Sequence, residues 1–324
     1  VDGDAGIVSG SVALEAQSLT IDDPIQATES DGGGIDLRGP TVLSADLTAR
    51  GADILLRSPV FTENNDLFLD TRLPNETQSG DIIVQSTLNS LIDGEGEPSL
   101  RADYGKIDLQ DSVGDQSPLA ELTTVSRELI LPDVTTVGRQ NFEVSQTITL
   151  GGDLTTGGGR IDLEGADSAE VTLLPEADTV TIDSTGNGSV PVGGTIVLNV
   201  PLVSTPGTSS TGLVVNAGGS ALGMVGVRTT GSQHFTAGTI LARGRYATEG
   251  AAITFDGPVS VVGSFEGDTT LNQSNGGNFT FKGEVNPFPG EGDADVTVDA
   301  GTGEIGLEGL VGVENFPLGD LSLT

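Results

Sequence analysis

Between Ile253 and Val311 one seven-residue pattern of apolar and polar positions returns three times. It reads Ile-Thr-Phe-Asp-Gly-Pro-Val from Ile253, Phe-Thr-Phe-Lys-Gly-Glu-Val from Phe279 and Ile-Gly-Leu-Glu-Gly-Leu-Val from Ile305, so both spacings are 26 residues. Apolar residues alternate with polar or small ones, and a period of two predicts a strand with one buried face. The pattern recurs upstream from Ile35, Ile54, Ile82, Ile107, Ile161 and Ile196, with early spacings of 19, 28 and 25. A second short alternating segment follows many of these: Leu67–Leu69, Leu100–Ala102, Thr269–Leu271, Val296–Val298 and Leu321–Leu323. No apolar period of helical type runs to a useful length. Ser117–Leu129 has fair helix propensity, but it aligns with the alternating tail Phe316–Thr324 and is read as strand.

A unit of this size cannot bury its apolar face alone, whereas stacked copies can. The repeats therefore predict an all-β chain, a parallel β-solenoid with rungs of roughly 19–28 residues. Its inward ladder is expected to run through Ile35, Ile54, Ile82, Ile107, Ile161, Ile196, Ile253, Phe279 and Ile305, with Phe255, Phe281 and Leu307 forming a second column. A longer rhythm lies above the rungs. Gly80–Thr123 resembles Gly277–Ser322, and Thr135–Leu150 matches Thr229–Leu241. The domain reading is one continuous solenoid over residues 1–324, an internal segment of a longer repeat protein. A sandwich would need hairpin turns at each reversal, and Asn-Gly pairs occur only at Asn187–Gly188 and Asn275–Gly276.

Composition narrows the partners. Thirteen Lys and Arg against 47 Asp and Glu give a net charge of −34, which repels nucleic acid and anionic lipid. Disorder is set aside because the apolar residues are patterned. No run of 18 apolar residues is present to span a membrane as a helix. Forty-eight glycines and no tryptophan fit many tight turns better than an ordinary enzyme core.

Candidate chemistry is sparse. Gly301–Gly306 spells G-x-G-x-x-G, but a repeat strand follows it where a dinucleotide site needs a helix. His234 is the only histidine, and its aligned counterpart is Asn141, which reads as an outward strand position. Asp36, Asp108 and Asp162 recur at one outward position, the mark of a solvated acidic row. The acidic run with Glu291, Asp293 and Asp295 offers weak calcium ligands without the spacing of a dedicated site. No cofactor is expected beyond such weakly held calcium, and no catalytic residue is assigned. Loops that leave the rungs are the places for function: Arg72–Ser79, Ile92–Ser99, Ser204–Thr211 and Asn286–Asp295.

The phrases starting at Ile253, Thr229 and Ala300, with Pro317–Thr324, resemble the repeats of large secreted bacterial adhesins of the filamentous-haemagglutinin type. That resemblance implies a right-handed parallel β-helix, export, and a place at the cell surface or outside it. The function expected is an extracellular structural or adhesive rod. Its partners would be further repeats or copies end to end, and a host-cell, glycan or matrix surface, with no nucleic acid and no membrane insertion. Two alternatives stand beside it: a self-assembling filament subunit of a matrix or sheath, and a β-helix enzyme acting on polysaccharide.

Overall fold

The computed structural model describes residues 7–28, 33–63, 66–73, 78–174, 178–204, 210–271, 275–290, 294–312 and 318–324. The described chain is all-β and contains no helix. It divides into two compact units, Val1–Gly159 and Arg160–Thr324.

In each unit, successive turns of chain lay three strands side by side with the strands of the next turn, always parallel. In the first unit one column runs through Ile35, Ile54, Ile82, Ile107, Leu129 and Ile148. A second runs through Leu19, Thr41, Val60 and Leu88, with Val113 bridging Leu88 and Val134. A third runs through Ile25, Leu47, Leu69, Leu100, Thr124 and Phe142. The second unit repeats the arrangement. Its columns are Ile161, Ile196, Leu222, Ile240, Val259 and Val285; Val171, Leu202, Val227, Tyr246, Gly267 and Val298; and Val180, Leu213, Gln233, Ile253, Phe279 and Ile305. Nearly all of these side chains are buried, and each fully buried aliphatic or aromatic one contributes about 1.5–3 kcal/mol.

The nine ladder positions expected from the repeats do not share one column. In the second unit, Ile161 and Ile196 pair with each other, while Ile253, Phe279 and Ile305 lie in a different sheet. The same Ile-x-Leu phrase serves more than one face because each face asks the same thing of a strand: alternation, then a corner. Ile305 and Leu307 are half-buried, where the pattern predicted inward burial like that of Phe279 and Phe281. The segment Thr269–Leu271, expected as a strand, is a corner. The strand Val259–Asp268 precedes it, and Phe265 pairs with Val296. Thr269 is buried for another reason, because its hydroxyl donates to the Gly277 carbonyl at 2.8 Å. Ser117–Leu129, read as strand, contains the start of the strand Leu122–Leu131.

Corners are set by local chemistry. In the Gly-Pro phrases, Gly39 and Gly257 have φ of 134° and 148°, and a Cβ on either would meet a carbonyl oxygen of the neighbouring turn at 2.1 Å. The proline that follows lacks an N–H, yet its carbonyl still accepts from the adjacent rung: Leu19 N–H to Pro40 and Ile240 N–H to Pro258, both at 2.8 Å.

A second corner device uses glutamine. Gln140 and Gln233 are buried, and the amide nitrogen of each, with two hydrogens to donate, lies within hydrogen-bond distance of three acceptors. For Gln140 these are the Val134 carbonyl (3.2 Å), the Thr136 hydroxyl (3.4 Å) and the Thr155 carbonyl (2.9 Å). For Gln233 they are the Val227 carbonyl (3.2 Å), the Thr229 hydroxyl (3.2 Å) and the Ala247 carbonyl (2.8 Å). Thr136 and Thr229 in turn donate to the Gly138 and Gly231 carbonyls at 2.8 and 2.6 Å. The match between Thr135–Leu150 and Thr229–Leu241 is therefore a shared corner, Thr-x-Gly-x-Gln. Buried acceptors without a donor are costly, so Gln233→Leu should destabilise the second unit by about 1–3 kcal/mol in denaturant unfolding. His234→Ala, one residue on and half exposed, should change stability by about 0.5 kcal/mol or less.

Candidate binding groove

The outward faces were expected to carry an acidic row, and its members differ in exposure. Asp36 is half-buried, but Asp108 and Asp162 are buried. Residues two apart share a strand face, and at both buried members a long cation on that face lies against the aspartate. Arg160 Nε lies 2.6 Å from Asp162, and Lys106 Nζ lies 2.9 Å from Asp108, which also accepts from Gln110 at 3.3 Å. Other pairs join adjacent turns: Asp256 with Lys282 at 2.8 Å, and Asp268 with Arg245 at 2.6 Å.

Asp36 sits between Arg57 of the next turn and Arg38 of its own strand, both at 2.8 Å. Hydrogen bonds from Arg57 first, then Arg38, hold its carboxyl below the usual range. A carboxyl lowered in the folded state stabilises the fold fully above its unfolded value of about 3.9, and that contribution disappears as pH falls through the lowered value. Asp36→Asn should therefore lose less stability than the parent between pH 7 and pH 3, read as the shift in urea midpoint.

Of the calcium candidates, Glu291 and Asp293 lie outside the described residues. Asp295 is exposed and accepts the Asp320 backbone N–H at 2.8 Å. Among the described residues no group of three or more His, Cys, Asp or Glu side chains is arranged to hold a metal ion. Nor, among them, is there a helix long and apolar enough to cross a membrane. His234 is half exposed on the strand Gln233–Thr236. Gly301–Gly306 leads into the strand Ile305–Leu307, with Gly301 at φ 55°. The loop expected at Ile92–Ser99 ends earlier, since a strand begins at Pro98. Residues 74–77, 205–209 and 291–293 of the other candidate loops lie outside the described residues.

A concave feature of the second unit lies on its outer surface and was not predicted from the sequence. The long strands Ala221–Thr229, Thr239–Thr248 and Val259–Asp268 each bend at a left-handed glycine, Gly226, Gly244 and Gly263, with φ of 63°, 80° and 70°. The three bends fall on successive turns, and the strand register shifts beside the first two. Only a residue without Cβ adopts this backbone freely. Stacked bends turn the outer face into a groove, with one section of about 380 Å³ and a smaller one of about 150 Å³.

The groove floor is aliphatic. Val197, Val203, Val225, Leu241 and Val262 line it and are each half-buried. Arg228, Arg243 and Arg245 stand along it. Arg245 is engaged by Glu266 at 3.2 Å and by Asp268. Arg228 and Arg243 are exposed and make no ion pair with any described residue. The sequence signal for this groove was present. The run Ala-Leu-Gly-Met-Val-Gly-Val has apolar residues on both alternations, which a one-faced strand does not need. No family model matches the chain, and neither a curated protein nor a solved structure matches it.

Proposed function

We propose that the chain is a stretch of right-handed parallel β-helix, and that it serves as a structural and adhesive rod of a bacterial surface protein of the filamentous-haemagglutinin type. The observation that carries the reading is the in-register parallel stacking inside each unit, where almost every inward side chain is committed to packing against the turns above and below. Bending such a stack would separate parallel ladders and open the core, so stiffness is what the architecture supplies most directly. Repeated turns need sequence only for packing and corners, which leaves outward faces and loops free to vary. The reading assigns no catalytic step. Partners of the rod are further repeats along its axis and a surface that its outward residues contact.

Antibodies raised against this chain test the proposal on intact cells by immuno-electron microscopy. Label on filaments or stalks outside the cell is the expected result. Label that requires permeabilised cells, or that marks a species without filaments, would overturn it.

A further inference from the structure

We propose that the glycine-bend groove of the second unit is a docking site for an extended peptide in which carboxylates alternate with aliphatic residues. The inference rests on the groove's own chemistry and does not depend on the rod reading.

Three observations point to that occupant. The floor is built from half-buried Val225, Leu241 and Val262, which gain by losing contact with water. Arg228 and Arg243 flank this floor without an ion pair to any described residue, although the chain carries 47 carboxylates for 13 cations. A guanidinium beside an apolar surface binds a carboxylate through paired, charge-assisted hydrogen bonds. Finally, the groove is not a by-product of the coil. In the first unit the strands Pro98–Leu109, Leu122–Leu131 and Gln140–Leu150 also bend, but the bends carry Tyr104, Arg127 and Gln146 and no left-handed glycine.

The chemistry also separates peptide from other polymers. A glycan would set hydroxyls against Val and Leu with few polar groups to receive them and no aromatic ring to stack on, a desolvation cost without return. A dense polyanion such as nucleic acid meets the net charge of −34 over its whole length, whereas a short peptide with a few carboxylates meets it only locally. The stretch from Val197 to Val262 covers four turns, about 14–19 Å at the spacing of paired strands. An extended hexapeptide, about 20 Å long, matches it.

The probe is an end-blocked, fluorescein-labelled Glu-Val-Glu-Val-Glu-Val peptide, titrated with the whole chain and read by fluorescence anisotropy. Saturable binding is expected. The double variant Arg228→Ala/Arg243→Ala should weaken it about tenfold or more, and a Gln-for-Glu peptide should bind the parent chain about as poorly. The control Arg50→Ala/Arg101→Ala removes the same charge far along the sequence and should leave affinity within about twofold. Unchanged thermal unfolding of the groove variant shows that its fold is intact; the side chains replaced are exposed. Absent saturable binding, equal weakening by both double variants, or binding of hexagalacturonate in place of the peptide would each overturn the proposal.

Discussion

Replacing Phe255 by alanine should cost the second unit about 3–5 kcal/mol, the full range for deleting a buried aromatic ring. Phe255 is fully buried, and its ring centre lies 4.9 Å from Phe235, 5.3 Å from Tyr246, 5.6 Å from Phe265, 5.9 Å from Phe279 and 5.2 Å from Phe281. These six rings fill the interior of the turns between residues 233 and 281. Each pair contributes about 0.5–1.5 kcal/mol beyond area burial, and rigid parallel ladders on every side prevent collapse around the missing ring. Tyr246 marks how dry the site is. Burial pushes its phenol well above the usual value, and the hydroxyl donates to the Met224 carbonyl at 3.3 Å. Denaturant unfolding measures the change. A loss below about 1 kcal/mol would mean that the cluster does not pack as described.

Gly267→Ala should be nearly as damaging, about 3 kcal/mol, although it adds a single methyl group. Gly267 sits at an inward position in register with Tyr246 and Val298. A Cβ there would lie 2.3 Å from Cε2 of Phe279 and 2.7 Å from its Cζ. The ring of the next turn thus occupies the space of the missing side chain. The two positions should couple strongly. Phe279→Ala alone loses about 3–5 kcal/mol, but it vacates the space the new methyl needs, so the double variant should cost clearly less than the sum of the two single changes. Additive costs would show that the ring and the glycine do not meet.

Much of this fold was legible in the sequence, and the errors have physical causes. The 26-residue return of Ile253, Phe279 and Ile305 reports neighbours in one sheet, because a turn of fixed length brings the chain back to the same face. Assigning Ile161 and Ile196 to that same ladder failed because all faces are written in one alphabet; only turn length distinguishes them, and turn length varies. Thr269 resembled a strand residue because corner threonines are buried to cap carbonyls. Gly267 hid the true strand because an aromatic ring from another turn stands in for its side chain. Asp108 and Asp162 looked solvated because alternation tells which way a residue points and nothing about the Lys or Arg that folds over it. The groove depends on three glycines whose register across turns, unlike their presence, emerges only in three dimensions. Gln140 and Gln233 were visible as a shared phrase, but the acceptors that their amides reach inside the corner were not.

The stack is defined by which residues are neighbours on adjacent turns, and engineered disulfides read that directly because the chain has no cysteine. Paired cysteines at Val42 and Phe61 in the first unit, and at Thr254 and Thr280 in the second, occupy partner positions on adjacent parallel strands. Adjacent strands lie about 4.8 Å apart, within reach of a disulfide, whereas positions two turns apart lie about 10 Å away, beyond it. Mild oxidation should close Val42–Phe61 and Thr254–Thr280 rapidly in the folded protein, and should leave Val42–Asn89 and His234–Thr280, each two turns apart, open. Closure of the two-turn pairs with the one-turn pairs left reduced would contradict the stacking on which every other inference depends.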